Sequence, residues 1–332
     1  MTRSVESNAS RAAPMVAILG PTASGKSALG VWLAERLEGE VVACDSTQVY
    51  RHFNIGTAKP RAEERESIPH HLLDLLEPEE TFTAGDYRRR AEVVLDELRR
   101  RGKLPILTVG TGLYLRALLE GLADAPARSE ELRARLAEQA KVHGAGYLLR
   151  LLKRLDPAAA QRIAPRDHPK LIRAIEVCLL VGRPLSEVHR GGRTALAGFR
   201  AVKVGLMPPR AALYQRIERR VKNMLDQGWL EEVKTLMEQG TSAEAKPFQF
   251  IGYGELRAHL SGAVDFEQAI SAICQATRRF AKRQLTWFRR EVGVRWFEGF
   301  GDAPKVCEEV LAYLEAQVAT EREVRARPAP SV

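Results

Sequence analysis

The chain has 332 residues, 45% of them hydrophobic and 28% charged, with 51 Lys and Arg against 42 Asp and Glu for a formal net charge of +9. A chain of this length and apolarity buries a sizeable core and exceeds one ordinary domain. That excludes a disordered protein and points to two domains, or to one domain with a large insertion. The positive excess favours an anionic partner, such as nucleic acid or phosphorylated metabolites, although an Arg-rich genome gives the same bias.

Residues 1–13 are polar, lack an apolar leader segment and read as a tail. No run is long and apolar enough to cross a bilayer, so no membrane partner is expected. Met15 to Leu19 is a short apolar run that predicts a buried strand, and a helix follows from Lys26 to about Leu37. Between them, Gly20-Pro21-Thr22-Ala23-Ser24-Gly25-Lys26-Ser27 fits G-x-x-x-x-G-K-[ST], a P-loop in its proper strand-to-helix setting. Its glycines let the backbone wrap phosphates, and its N–H groups and helix N-terminus supply positive potential. Lys26 reaches the terminal phosphates and the Ser27 hydroxyl can ligate Mg²⁺. A P-loop of this form also makes ATP a candidate ligand.

Val41 to Cys44 predicts a second buried strand that stops at Asp45. Asp45 reads equally as a helix N-cap and as a general base facing the phosphate site. His70 and His71 are adjacent, so their side chains diverge and make a poor metal site. An amphipathic helix is predicted from Ala84 to Arg101, then a strand from Leu104 to Val109 that ends at Gly110-Thr111-Gly112. Alternating strands and helices predict an α/β fold: a P-loop NTPase-like parallel sheet flanked by helices, with right-handed crossovers. Ligands in such sheets sit beyond the carboxyl ends of the strands, where the P-loop, Asp45 and Thr111 all fall.

From Asp124 to about Phe199 the chain is Arg-rich and helical without a strand signal. Val202 to Leu206 and Val294 to Phe297 predict further strands, with helical stretches over Arg210–Gln239 and Asp265–Arg290. The expected organisation is therefore an α/β core over 14–122 and 200–318, a helical insertion over 123–199, and tails at 1–13 and 319–332. The four cysteines, Cys44, Cys178, Cys274 and Cys307, form no C-x-x-C pair. That argues against structural zinc or a disulfide framework and fits a reducing cytosol.

Several strings occur in a telling order. After the P-loop come Asp45-Ser-Thr-Gln-Val-Tyr50, Asn54-Ile-Gly-Thr-Ala-Lys-Pro60, Pro69-His-His-Leu-Leu-Asp74 and Gly110-Thr-Gly-Leu-Tyr114. Ile251-Gly-Tyr253 and Lys282-Arg-Gln-Leu-Thr-Trp-Phe-Arg289 follow. Over about residues 15–300 the chain resembles the bacterial tRNA dimethylallyltransferases, also called tRNA isopentenyltransferases. It departs from them at Val109, where the family usually has glycine, and at Ser27, where many members have threonine.

The resemblance implies transfer of a dimethylallyl group from dimethylallyl diphosphate to the exocyclic amine of the adenosine 3′ to the anticodon in tRNA. The P-loop then holds diphosphate with Mg²⁺. It implies Asp45 as general base, Thr111 beside the reacting groups and Arg220 as a further cation on the diphosphate, with Arg216 and Arg219 close by on the same helix. Asp45, Ser46, Thr47, Gln48 and Thr111 would hold a base flipped out of the anticodon loop. Arg133, the stretch Pro169, Lys170, Leu171, Ile172 and Arg173, and Lys282, Arg283, Gln284, Thr286, Trp287 and Arg289 would touch the anticodon stem-loop. A cytoplasmic monomer is expected. Three rivals remain at this point: a P-loop small-molecule kinase, an adenylate isopentenyltransferase acting on free nucleotide, and an RNA-binding protein with a relic P-loop. The basic insertion speaks against the second, and intact Lys26, Ser27 and Asp45 speak against the third.

Overall fold

The structure, a computed structural model, describes residues 12–144 and 146–326; the remainder of the expected tails, 1–11 and 327–332, lies outside the described residues. Among the described residues, six strands form one sheet: β1 (Ala13–Leu19), β2 (Gly39–Cys44), β3 (His70–His71), β4 (Leu104–Val109), β5 (Phe199–Leu206) and β6 (Val294–Phe297). All neighbours pair in parallel, in the order β3-β2-β4-β1-β5-β6. The apolar runs are nearly continuous because both faces of the sheet are covered. Alternate residues go to opposite layers. Met15, Ala17 and Leu19 join a core with Val42, Leu107, Tyr87 and Leu95, whereas Val16 and Ile18 join Leu29, Leu33, Ile106 and Val204.

The chain leaves β1 towards the β3 edge, returns to β4 beside β1, and then builds β5 on the other side. The switch point is therefore the carboxyl end of β1, where the P-loop emerges. Strand β3 is not signalled by the sequence. It is two residues long, and a polar pair carries no apolar alternation; His71 Nε2 and Glu40 Oε2 lie 2.7 Å apart beside it. The helical stretch after β5 resolves into two helices, Arg210–Asp226 and Trp229–Glu238, which break at Gly228 with φ 94°. The last helix, Pro304–Ala326, runs on past residue 318, with Val306, Cys307, Val310 and Leu314 buried against the second core layer. No described helix is long and apolar enough to cross a membrane.

The chain divides into two compact units, Met1–Leu119 with Leu196–Val332, and Glu120–Ala195. The sheet belongs to the first. The described elements of the second are the helices Glu130–Val142, Tyr147–Leu155, Pro157–Arg162, His168–Val181 and Leu185–Arg190. They close around Leu136, Leu148, Leu152, Leu171 and Ile175. Strand β5 opens at Phe199, which pairs with Ala13 of β1.

Candidate active site

Gly25 caps the helix Lys26–Arg36 at φ 89° without any side-chain bond. The first-turn N–H groups of that helix are thereby left to a ligand. A side chain at Gly25 would also strike the backbone of the 299–302 loop, with Gly301 N only 2.8 Å from a built β-carbon. That loop is tied to the P-loop by Gly301 N–H donating to Ser24 O at 2.8 Å. Lys26 Nζ donates to the carbonyls of Gly20 and Pro21, each at 2.9 Å. Burial pulls the Lys26 pKa down to about 7; Asp45 works against that shift and Arg220 adds to it. The charge of Asp45 thus reaches both Lys26 and Arg220.

Asp45 follows the last residue of β2. Its Oδ1 accepts from Thr47 N at 2.8 Å and Thr47 Oγ1 at 2.7 Å. No helix starts there, so the cap that the sequence suggests is a local turn. Oδ2 lies against Gly110, where a β-carbon would leave it no room. Gly110 and Thr111 fold over the end of β2, both donating backbone N–H to Cys44 O at 3.0 Å. Thr111 Oγ1 accepts from Ser46 N at 3.0 Å and donates to Ser46 Oγ at 3.1 Å. Val109, where the family usually has glycine, is wholly buried in the core, and the residue against Asp45 Oδ2 is Gly110.

These segments line one cleft of about 2080 Å³, together with Gln48, Arg220, Arg283 and Trp287. Of the three candidate cations on the helix Arg210–Asp226, Arg216 is spoken for: it pairs with both oxygens of Asp302, at 2.7 and 2.6 Å. Arg219 is exposed. Arg220 is half-buried, lines the cleft and forms no ion pair among the described residues. Burial, and Arg216 after it, lower its pKa.

The floor beyond Asp45 is built by residues whose motifs the sequence displays without revealing their roles. Lys59 is buried; its Nζ donates to Tyr50 O, to Asn54 Oδ1 at 3.1 Å and to Asp74 Oδ1 at 2.6 Å. Arg65 holds the other Asp74 oxygen at 2.8 Å. Glu232 Oε2 accepts from Asn54 N at 3.1 Å and Ile55 N at 2.9 Å, and Tyr253 donates to Glu232 Oε1 at 2.7 Å. Gln48 Nε2 donates to the carbonyls of Thr57 and Ala58 at 3.2 and 3.1 Å. The strings Asn54–Pro60, Pro69–Asp74 and Ile251–Tyr253 are thus one framework, which orients the turn carrying Ser46, Thr47 and Gln48.

The expected RNA residues divide. Lys282, Arg283, Thr286, Trp287 and Arg289 are exposed on the helix Phe266–Phe288 and the residue that follows it. Gln284 is buried, and both ends of its amide are bonded within the protein. In the second unit Pro169 and Lys170 are exposed, whereas Leu171 is 1% exposed and belongs to the helical core, so its side chain is not a surface contact. Arg133 grips both oxygens of Glu176 at 2.9 and 3.0 Å, and Arg173 bonds the same carboxylate at 2.6 Å. The Glu176 side chain is fully buried. Burial raises its pKa, but the two arginines and the Ser129 N–H outweigh that and hold it below the ordinary value.

A family model described as IPP transferase matches residues 48–291. The chain is 51% identical over 298 residues to a tRNA dimethylallyltransferase of Koribacter versatilis, covering 90% of this chain and 97% of that one. It is 48% identical over 298 residues to one of Solibacter usitatus, with the same coverage of 90% and 97%. Among solved structures, the full-length tRNA isopentenylpyrophosphate transferase of Bacillus halodurans matches with a TM-score of 0.69 at 37% identity, over 95% of this chain and 99% of that one. A eukaryotic dimethylallyltransferase acting on tRNA matches with a TM-score of 0.79 at 26% identity, over 96% and 81%. The parallel sheet, the P-loop at its switch point and these matches agree: the chain belongs to the IPP transferase family and is a tRNA dimethylallyltransferase, a prenyltransferase that modifies tRNA.

Proposed function

We propose that this chain moves the dimethylallyl group of dimethylallyl diphosphate onto the exocyclic amine of the adenosine 3′ to the anticodon, giving isopentenyladenosine. The observation that carries this reading is the convergence of Lys26, Asp45 and Arg220 in one cleft, with Asp45 Oδ2 taking no hydrogen bond from the described residues. The P-loop N–H groups, Lys26 and Arg220 bind the diphosphate and stabilise the charge that develops on it as the allylic C–O bond breaks. The adenine amine is a weak nucleophile because its lone pair is delocalised, so a base that takes its proton assists the attack. Asp45 Oδ2 is that base. Thr111 and Ser46 hold the loop beside it, and the target base reaches it by leaving the anticodon stack.

Ser27, exposed in the first helical turn and lining the same cleft, would hold Mg²⁺ through its hydroxyl. When bound, the ion neutralises charge on the leaving group. Exposed Lys282, Arg283 and Arg289 suit RNA phosphates. Four free, buried cysteines support a reducing, cytoplasmic setting, and a monomer suffices because every group named above comes from one chain. The test is incubation with dimethylallyl diphosphate and total tRNA, followed by nucleoside mass analysis. Isopentenyladenosine is the expected product; ATP hydrolysis or phosphate transfer without prenylation would overturn the reading.

A further inference from the structure

Gln284 lies on the cleft-facing side of the helix Phe266–Phe288, one turn from Trp287, and is 6% exposed. Its Oε1 accepts from Thr22 N in the P-loop at 2.7 Å, and its Nε2 donates to Gly110 O beyond β4 at 2.8 Å. The partners dictate the orientation of the amide, since an N–H requires the oxygen and a carbonyl requires the NH₂ group. One planar group therefore ties the diphosphate-binding loop to the residue against which Asp45 Oδ2 lies. Thr111, next in the chain, carries the tie on to Ser46. The same helix reinforces the join through Trp287, whose ring occupies the space a β-carbon on Gly112 would need. Few side chains can make this bridge. Glutamate ionised has no donor, lysine has no acceptor, and asparagine is one methylene shorter.

We propose that Gln284 is a positioning residue: it sets the distance between the diphosphate in the P-loop and the base Asp45, and so aligns the donor carbon with the acceptor amine. The inference rests on the reaction proposed above. It assigns to Gln284 a part in turnover rather than in gripping RNA. Reacting groups displaced by about 1 Å lose on the order of 10²-fold in rate, whereas each substrate still finds its own binding surface.

Two variants test this. Gln284→Met keeps the bulk and removes both bonds. Expected are a fall in kcat of about 10²-fold and changes below about threefold in the Kd of dimethylallyl diphosphate and of an anticodon stem-loop. Gln284→Glu keeps the acceptor but sets a carboxylate oxygen against the Gly110 carbonyl. Protonation would restore a donor, so its relative activity should rise as pH falls, a profile a merely structural role would not give. A loss confined to tRNA affinity, with kcat intact, would make Gln284 an RNA contact and overturn the proposal. Hydrogen exchange decides the bridge without any reaction. Amides of Thr22 and of residues 110–112 should exchange faster in Gln284→Met, with the central strands unchanged; equal exchange there overturns the proposal even in a protein that prenylates tRNA normally. Absence of prenylation by the wild type would instead strike the functional reading, while the exchange result still judges the bridge.

Discussion

The contact between Gly110 and Asp45 makes a single methyl group a probe of the chemistry. A β-carbon built on Gly110 would lie 1.9 Å from Asp45 Oδ2, whereas real contacts of this kind essentially never fall below 3.0 Å. The carboxylate of a Gly110→Ala variant must therefore retreat by about 1 Å, or the Gly110 loop must lift by as much. The second route is resisted by the backbone bonds of Gly110 and Thr111 to Cys44 O and by the Gln284 bridge. Overpacking of this size costs about 1–3 kcal/mol of stability, which a folded domain of this size tolerates. A 1 Å displacement of a general base costs about 10²-fold in rate. Asp45→Asn, which removes the proposed base outright, should cost roughly 10²- to 10⁴-fold. Single-turnover prenylation of a stem-loop at saturating donor measures both, and a thermal shift with dimethylallyl diphosphate checks that the P-loop still binds. The two changes act on one group, so Gly110→Ala should add little in the Asp45→Asn background. Wild-type turnover in Gly110→Ala, or a full additive loss in the double variant, would refute the assignment of Asp45 Oδ2.

Further outcomes are expected. Because burial holds the Lys26 pKa near 7, down from 10.5, the donor-free protein carries a neutral Lys26 at pH 8; a bound diphosphate favours the charged form, so binding takes up a proton at pH 8 and almost none below pH 6. Calorimetry in buffers of different ionisation enthalpy reads this directly, and by the same linkage this group makes the donor-free protein more stable as pH rises from about 7 towards 10.5. Lys282→Ala should weaken tRNA binding and reduce its salt slope by about one with donor binding intact, whereas Arg133→Ala should chiefly lower the melting temperature, since it strips Glu176 of one partner at a cost of about 1–3 kcal/mol. An anticodon stem-loop should be prenylated efficiently, and AMP not measurably under the same conditions, because a single phosphate cannot orient the amine as a gripped stem can; comparable use of AMP would make this an adenylate enzyme.

What the sequence discloses follows from how local each feature is. The P-loop is legible because eight consecutive residues specify it and the strand and helix on either side need only apolar periodicity. Asp45 stands out because it ends an apolar run, though the split use of its carboxylate does not: one oxygen closes a turn with Thr47, and the other lies against Gly110. Gln284 is hidden because its partners are 262 and 174 residues away, and because Lys282, Arg283 and Arg289 around it read as a solvated basic face. The partner of Arg133 and Arg173, which the resemblance marks as RNA contacts, is hidden too: one buried carboxylate, Glu176, is 43 residues from the first and three from the second, and it engages both. A side chain's type fixes what it can bond, and only the fold decides with what. Three cationic or amide groups therefore part ways in the structure: Arg220 lines the cleft unpaired among the described residues, Arg216 is held by Asp302, and Gln284 ties two loops together. The unpaired group is the one whose charge is left for the diphosphate of the proposed reaction.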